Sequence, residues 1–248
     1  MIHYQETGSG KTIILIHGFC ENLSIWDNLV PELSRKFHLI AVDLPGFGKS
    51  LLSEVQSITD VAKQLDKLIQ TLSIKNPVLI GHSLGGYVAA AYAQLFSEKL
   101  SKIIFFHSTS HEDPPEKKIQ RDKTHLFLKE NGINVFNNSF VQNIFSELSP
   151  NEMKEKTLNI LNKTSLNSAL TYTQFMRDRN RTLDSIKTLN IPKMYIAGKY
   201  DQIIPYEMTR KESNYTGSNY QLLQHSGHMG MVEEPELSLE IIKNFLLP

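Results

Sequence analysis

Three residues whose side chains suit nucleophilic catalysis each follow a short apolar run in this sequence. Ser83 stands in "GHSLG", directly after "PVLI", and glycines on both sides suit a sharp strand-to-helix turn that exposes a serine hydroxyl. Asp201 follows "KMYIAGKY", and His228 follows "YQLLQHSG". A serine hydroxyl is a weak nucleophile at neutral pH, so it needs a base, and the base needs an acidic group to orient it. We therefore predict Ser83 as nucleophile, His228 as general base and Asp201 as its acidic partner.

Attack on a carbonyl carbon also requires hydrogen-bond donors for the oxyanion that forms. The helix predicted after Ser83 places the backbone amide of Leu84 at its N-terminus, where unpaired amides and the helix dipole favour negative charge. The loop "HGF" after "TIILI" offers the amide of Phe19. We expect these two amides to form the oxyanion hole, with His17 bracing the loop and Cys20 as a small packing residue.

The elements that must position these residues alternate between short β-rich runs and helical patterns. This order is typical of an α/β fold with a mostly parallel sheet flanked by helices. Because the carboxyl ends of parallel strands share one edge of a sheet, the three catalytic candidates are predicted to meet there. The predicted strands are Thr12 to Ile16, His38 to Asp43, Pro77 to Gly81, Lys102 to Phe106, Lys193 to Ala197 and Tyr220 to Gln224.

Two helices of this core are predicted from apolar residues at three- and four-residue steps. The first runs from Ile58 to Leu72, with Ser57 as its N-terminal cap. The second includes Leu237, Ile241 and Phe245 and begins at Pro235.

The alternation is interrupted over residues 108–181, which contain no strand pattern. We expect a helical insertion there, between two parts of one α/β core, residues 1–107 and 182–248. One helix of the insertion is predicted from apolar residues that recur every four positions, namely Phe136, Phe140, Ile144 and Leu148. That apolar face either packs on the core alone or also lines a substrate pocket. The candidates for the pocket are Phe127, Phe136, Phe140, Phe145, Tyr172, Phe175 and Met176.

The composition limits the possible partners and location. The 248 residues include 26 basic and 26 acidic side chains, so no overall charge would attract nucleic acid or an anionic membrane surface. No run approaches the roughly 20 apolar residues of a membrane-spanning helix. The single cysteine cannot form an internal disulfide, and the first residues lack a signal-peptide pattern. We expect a soluble, cytoplasmic protein that acts on a small molecule and binds neither nucleic acid nor membranes.

Two further groups of residues have types found in binding sites. Histidines are paired at His107 and His111 and at His225 and His228, but neither pair has nearby cysteines or the pattern of a zinc-binding helix, so no metal is predicted. Basic residues cluster near the start of the insertion, at Lys117, Lys118, Arg121 and Lys123. We interpret this cluster as solvated surface, with a carrier-protein substrate as the alternative.

The order of these motifs resembles the α/β-hydrolase superfamily. The resemblance rests on "HGF" at 17–19, "DLPGFGKS" at 43–50, "GHSLGG" at 81–86, "GKYD" at 198–201 and "GH" at 227–228, and it extends over nearly the whole chain. Within the superfamily the chain is similar to small carboxylesterases, including the pimeloyl-carrier-protein methyl ester esterases. The resemblance implies that residues 108–181 form a lid, and the short N-terminus leaves room for one antiparallel strand.

We therefore expect a serine hydrolase that cleaves small to medium carboxylic esters through an acyl-enzyme and needs no cofactor. Two alternatives use the same three residues. The superfamily that the chain resembles also includes carbon–carbon bond hydrolases and cofactor-free peroxidases, which are these two alternatives. A ligand-binding receptor that turns its ligand over slowly is a further alternative from a different functional class.

Overall fold

The computed structural model describes residues 2–52 and 54–247. Within these residues seven strands form a single sheet in the order β1-β3-β2-β4-β5-β6-β7. All neighbouring pairs are parallel except β1 and β3, which are antiparallel. The strands are β1 (His3–Thr7), β2 (Lys11–Ile16), β3 (Phe37–Asp43), β4 (Val78–His82), β5 (Lys102–Phe106), β6 (Lys193–Gly198) and β7 (Asn219–Leu223).

Helices connect the strands and cover the sheet. The α-helices are α1 (Val30–Leu33), α2 (Ile58–Thr71), α3 (Leu84–Leu95), α4 (Pro115–Asn131), α5 (Ile133–Ile144), α6 (Asn151–Leu161), α7 (Leu166–Arg177), α8 (Leu183–Thr188), α9 (Tyr206–Thr216), α10 (Gly230–Glu233) and α11 (Pro235–Leu246). Short 3₁₀ helices cover Leu23–Trp26 and Ser97–Lys99.

The predicted core elements are confirmed with small shifts at their ends. The first strand pairs antiparallel with β3, as expected. Helix α2 begins after Ser57, whose hydroxyl accepts a hydrogen bond from the amide of Asp60 at 3.1 Å, as expected of a capping serine. Helix α11 begins at Pro235.

The hydrophobic core lies around the central strands. Strands β4 and β6 are buried along their whole length, whereas β7 alternates between exposed and partly buried residues before the buried Leu223. This difference follows from position, because β7 is at the edge of the sheet and has one neighbouring strand. Within the described part of the chain, no helix is long and apolar enough to cross a membrane.

Residues 108–181, here called the helical insertion, contain α4 to α7 and, with every residue described, no strand. The prediction of one apolar helix face extending to Leu148 is wrong. Helix α5 ends at Ile144, Phe145 has an extended backbone, and the side chain of Leu148 is 70% exposed. The chain turns there because the amide of Ser146 donates to the Glu233 carboxylate at 2.8 Å, a bond to the core that a continuing helix would not allow.

Candidate active site

Ser83 lies on a sharp turn between the end of β4 and the start of α3. Its φ of 49° and ψ of −113° place it in a region that residues with a side chain rarely adopt. The backbone amide of Ser83 donates to the carbonyl oxygen of Phe106 at 3.0 Å, which ties the turn to the neighbouring strand β5. The strained conformation is thus maintained by the sheet itself.

Small residues are required on both sides of this turn. A Cβ atom on Gly81 would overlap the carbonyl group of Gly85, and a Cβ atom on Gly85 would overlap the carbonyl oxygen of Ile16 in β2. The prediction that glycines suit this turn is confirmed, because the helix passes too close to the strands for a side chain.

Asp201 and His228 are directly hydrogen-bonded, with 2.7 Å between Nδ1 of the ring and Oδ2 of the carboxylate. The other carboxylate oxygen accepts from the amides of Ile203 at 2.8 Å and Ile204 at 2.9 Å. Burial alone would raise the pKa of Asp201, but the charges and hydrogen bonds of His228 and His107 outweigh it and hold that pKa well below its usual range. Asp201 is therefore an ionised carboxylate with a fixed orientation.

This hydrogen bond decides which nitrogen of His228 is free to act as a base. An ionised carboxylate is an acceptor only, so Nδ1 carries the hydrogen and the lone pair of the neutral ring is on Nε2. Among the described residues, no hydrogen bond joins the Ser83 hydroxyl to the His228 ring. Such contacts often form only when substrate is bound.

The backbone amides of Phe19 and Leu84 have no hydrogen-bond acceptor within the described part of the chain. Leu84 is the first residue of α3, so its free amide is a normal property of a helix N-terminus. The Phe19 loop is held by its neighbours. Thr164 of the helical insertion donates to the carbonyl oxygen of Cys20 at 2.8 Å, and the amide of Gly18 donates to Glu21 at 2.7 Å.

His17 and Cys20 are placed as the sequence predicted. Nε2 of His17 accepts from the amide of Leu44 at 3.0 Å, and Nδ1 donates to the carbonyl oxygen of Gly18 at 2.8 Å, so the ring is neutral and braces the loop. Burial lowers the pKa of His17 and raises that of the Cys20 thiol, which keeps both uncharged.

His107 is a second histidine on the same carboxylate, and the sequence analysis did not find this role. Its Nδ1 donates to Oδ2 of Asp201 at 3.2 Å, and its Nε2 accepts from the amide of Gly230 at 3.2 Å. Burial lowers the pKa of His107 to about 4, against the opposing effect of Asp201, so the ring is neutral at pH 7. The next residue, Ser108, donates to the carbonyl oxygen of Ser83 at 2.7 Å. The signal available in the sequence was the position of these residues directly after the strand "KIIFF".

His82 and Glu21 form a buried pair behind the site. Nδ1 of His82 lies 3.0 Å from the Glu21 carboxylate, and Nε2 lies 2.9 Å from the carbonyl oxygen of His228. Both partners accept hydrogen bonds, so the ring must donate from both nitrogens and is an imidazolium. Burial would lower the pKa of His82, but the Glu21 charge outweighs it and the net shift is upward. The pair links the Phe19 loop to the backbone of His228.

His107, Asp201 and His228 also have the residue types of a metal site, and their ligand atoms lie within 4.8 Å of one another. The hydrogen bonds argue for a different use. Both Nδ1 atoms direct a hydrogen at Oδ2 of Asp201, and Nε2 of His107 accepts from the amide of Gly230. Of the four ring nitrogens only Nε2 of His228 keeps a free lone pair, and one such ligand does not make a metal site.

A cavity of about 410 Å³ opens onto Ser83 and Phe19. Phe136 and Phe140 stack on each other at 5.1 Å between ring centroids, and each meets the Phe19 ring edge-on at 6.1 Å. Of the seven predicted pocket residues, the lining includes Phe127, Phe136, Phe140 and Met176.

The other three predicted pocket residues are buried elsewhere, and among the described residues they are not part of this lining. Phe145 follows the end of α5 and is 1% exposed. Tyr172 and Phe175 lie on α7 with ring centroids 5.3 Å apart, and Tyr172 packs on Phe47 of the core at 4.6 Å. The Tyr172 ring thus joins the insertion to the core.

The helical insertion also contacts the candidate base directly. The amide of His228 donates to the carbonyl oxygen of Ile144, the last residue of α5, at 2.7 Å. A Cβ atom on Gly227 would collide with the backbone of Phe145 and Ser146, so glycine permits this close approach. The position of His228 therefore depends on the insertion as well as on the sheet.

Comparison with known proteins identifies the family of this fold. Residues 11–235 match the family described as alpha/beta hydrolase fold, and the chain belongs to this family. It is 29% identical to pimeloyl-[acyl-carrier protein] methyl ester esterase of Wigglesworthia glossinidia brevipalpis, over 96% of this chain and 95% of that protein. It is 28% identical to "Uncharacterized hydrolase YugF" of Bacillus subtilis (strain 168), over 98% and 92%.

Solved structures extend the comparison to the fold. An esterase from Thermogutta terrifontis superposes with a TM-score of 0.93 and 25% identity, over 99% of this chain and 92% of that chain. The predicted α/β-hydrolase fold is confirmed, and the chain is a hydrolase of this fold with esterases among its relatives.

Proposed function

We propose that the chain is a carboxylic ester hydrolase that uses Ser83, His228 and Asp201 as a catalytic triad. The observation that carries the proposal is the 2.7 Å hydrogen bond between Asp201 and His228, at the same sheet edge as a serine on a strained turn facing a cavity. This bond leaves Nε2 of His228 as the free basic nitrogen, which is the state a general base requires.

The reaction begins when the Ser83 hydroxyl attacks the ester carbonyl carbon and His228 takes the hydroxyl proton at Nε2. Asp201 keeps the ring in the correct tautomer and stabilises its charged form. The amides of Phe19 and Leu84 donate to the oxyanion, and His228 then protonates the leaving alcohol. Water attacks the acyl-enzyme in the same way and releases the acid.

His107 and the pair of His82 with Glu21 act as positioning residues in this proposal. His107 and the amides after Asp201 orient the carboxylate, and His82 binds the backbone of His228. Groups held in place in advance need no rearrangement during the reaction, which is the main source of electrostatic stabilisation in enzymes.

The substrate class that fits the cavity is a small to medium ester. Volumes of a few hundred Å³ are usual for small-molecule sites, and the aromatic lining favours an apolar acyl chain. We propose that the helical insertion is the lid of this site. One relative is named for an acyl-carrier-protein ester, so a carrier-protein substrate is a possible form of the same chemistry.

Covalent labelling tests the nucleophile directly. A fluorophosphonate should add one phosphonyl group to the purified wild-type chain, detected by intact mass, and peptide mapping should place it on Ser83. The Ser83→Ala variant should stay unlabelled. Labelling of another residue, or equal labelling of the variant, would contradict the proposal.

A further inference from the structure

One face of helix α4 forms a wall of the cavity and changes character along its length. Lys117, Arg121 and Phe127 all line the cavity, together with Gln120 and Thr124 between them. These positions recur at three- and four-residue steps, so they share one side of the helix. At 1.5 Å per residue, Lys117 and Phe127 are about 15 Å apart along the axis. The wall therefore has a cationic end at Lys117 and Arg121 and an aromatic end at Phe127, with the exposed Lys123 between them.

Lys117 is partly buried at the cationic end without a counter-charge. Its ammonium group donates to the carbonyl oxygen of Ile203 at 3.3 Å, two residues after Asp201. In the described part of the chain, no carboxylate lies within ion-pair distance of it. An ammonium group has three hydrogens, so two remain for a partner outside the protein.

The acidic group with the largest effect on the pKa of Lys117, Asp113, is already shared by two other cations. Asp113 accepts from Nε of Arg121 at 3.0 Å and forms an ion pair with Arg179 at 2.6 Å. Burial, followed by the charge of Arg121, lowers the pKa of Lys117, and the charges of Asp113 and Asp201 offset this only in part. A partly desolvated cation without a directly bonded counter-charge is unfavourable, and a bound anion would compensate it.

We infer that the site prefers esters that also carry a carboxylate, with Lys117 as the residue that binds this second group. One carboxylate supplies the one counter-charge that Lys117 lacks, while the ester carbonyl lies at Ser83 in the same cavity. The inference rests on the proposed function, because it specifies the substrate of the same active site. The aromatic end of the wall would then contact other parts of the ester.

Paired substrates that differ only in charge test the inference. The methyl half-esters of dicarboxylic acids with four to eight carbons are compared with the same chains ending in a primary amide, which has nearly the same shape. For the chain of best length, the wild type should prefer the acid about tenfold in kcat/KM, as expected of a charge-assisted hydrogen bond in a partly exposed site.

Two neighbouring lysines provide a matched comparison. Lys117→Met should reduce the acid-to-amide ratio to about one, and the ratio is measured within one preparation, so it does not depend on how much of the variant folds. Lys118→Met should keep the acid-to-amide ratio of the wild type, because Lys118 is exposed and lies outside the described lining of the cavity.

Two results would overturn the inference alone. In the first, the wild type hydrolyses the amide-ended esters as well as it hydrolyses the acids. In the second, the preference for the acid persists in Lys117→Met. A chain that hydrolyses no ester and whose Ser83 is not labelled by a fluorophosphonate would overturn the proposed function, and the inference with it.

Discussion

The two sides of the cavity differ in how completely their polar groups are bonded. At the sheet edge, Asp201 accepts hydrogen bonds from two backbone amides and two histidines. On the side of the helical insertion, Lys117 has one carbonyl partner, and Phe136 and Phe140 contact other rings. The sheet edge holds groups in single orientations, whereas the insertion offers apolar surface and an unpaired cation.

This difference suggests a division of roles within the proposed function. Chemistry at a carbonyl group requires donors and bases that are fixed before the substrate arrives, and fully bonded groups on strand ends provide that. Selection among substrates requires shape and charge that are free to meet a ligand. The bond from His228 to Ile144 joins the two sides, so the insertion also takes part in positioning the base.

The largest expected effect is the loss of the proposed nucleophile. Ser83→Ala should lower kcat for a 4-nitrophenyl ester by a factor on the order of 10⁶, because no other group can form the acyl-enzyme. Activity of the purified variant within tenfold of the wild type would remove Ser83 from the mechanism.

The two histidines near the end of β7 supply the control. His228→Ala should lose activity to a similar extent, whereas His225→Ala should keep most of it, because His225 is exposed and its amide bonds to Glu234. Equal losses in both variants would mean that the base has been chosen wrongly.

Asp201→Asn should have the next largest effect, lowering kcat by about 10⁴. The amide nitrogen would favour the tautomer of His228 with its hydrogen on Nε2, so the free basic nitrogen would no longer face Ser83. Steady-state kinetics with the same ester measures the loss. A decrease below tenfold would show that the hydrogen bond to His228 is not needed to set the tautomer.

Protonation of His107 should have an intermediate effect, which appears in the dependence of the free energy of unfolding on pH. Its folded pKa of about 4 is below the ordinary value of 6.5, so between these pH values the unfolded chain binds a proton that the folded chain does not. Stability should therefore fall as the pH is lowered from about 6.5 to about 4, by roughly 3 kcal/mol from this group.

His107→Asn should flatten this part of the profile, measured as Tm against pH. Asparagine keeps a donor for Asp201 and tolerates the φ of 48° at this position, so the variant should fold and keep most of its kcat. The exposed His225→Asn should retain the wild-type slope. An unchanged slope in His107→Asn would assign the acid sensitivity to other groups.

The smallest effect is expected on the side of the insertion. For aryl esters, kcat/KM should rise about fourfold with each CH₂ from acetyl to about butyryl or hexanoyl and then fall, as the chain fills the aromatic end of the cavity. Phe140→Ala should move the optimum to longer chains. The exposed Leu148→Ala should not move it. A flat profile from two to eight carbons would refute the contact between acyl chain and aromatic lining.

Much of the fold could be predicted because it is encoded locally. Continuous apolar runs specify buried strands, Ser57 and Pro235 mark helix starts, and the glycines around Ser83 indicate a turn whose neighbours leave no room for a side chain. The roles of Ser83, Asp201 and His228 stay predictions, although the structure brings the last two within hydrogen-bonding distance.

Other features depended on what lies opposite a residue in space. Phe140 and Tyr172 are both aromatic residues on insertion helices, yet one faces the cavity and the other packs on Phe47. A helical pattern shows that residues share a face but not which neighbour covers that face.

The sequence by itself determined the order of strands and helices, the turn at Ser83 and the set of residue types available at the sheet edge, because each depends on neighbours in the chain. Only the tertiary structure decided that His107 shares the carboxylate of Asp201, that α5 stops where its last carbonyl meets His228, and that Lys117 faces the cavity without a counter-charge. These are contacts between residues far apart in sequence, and their distances exist only once the sheet and the insertion have packed together.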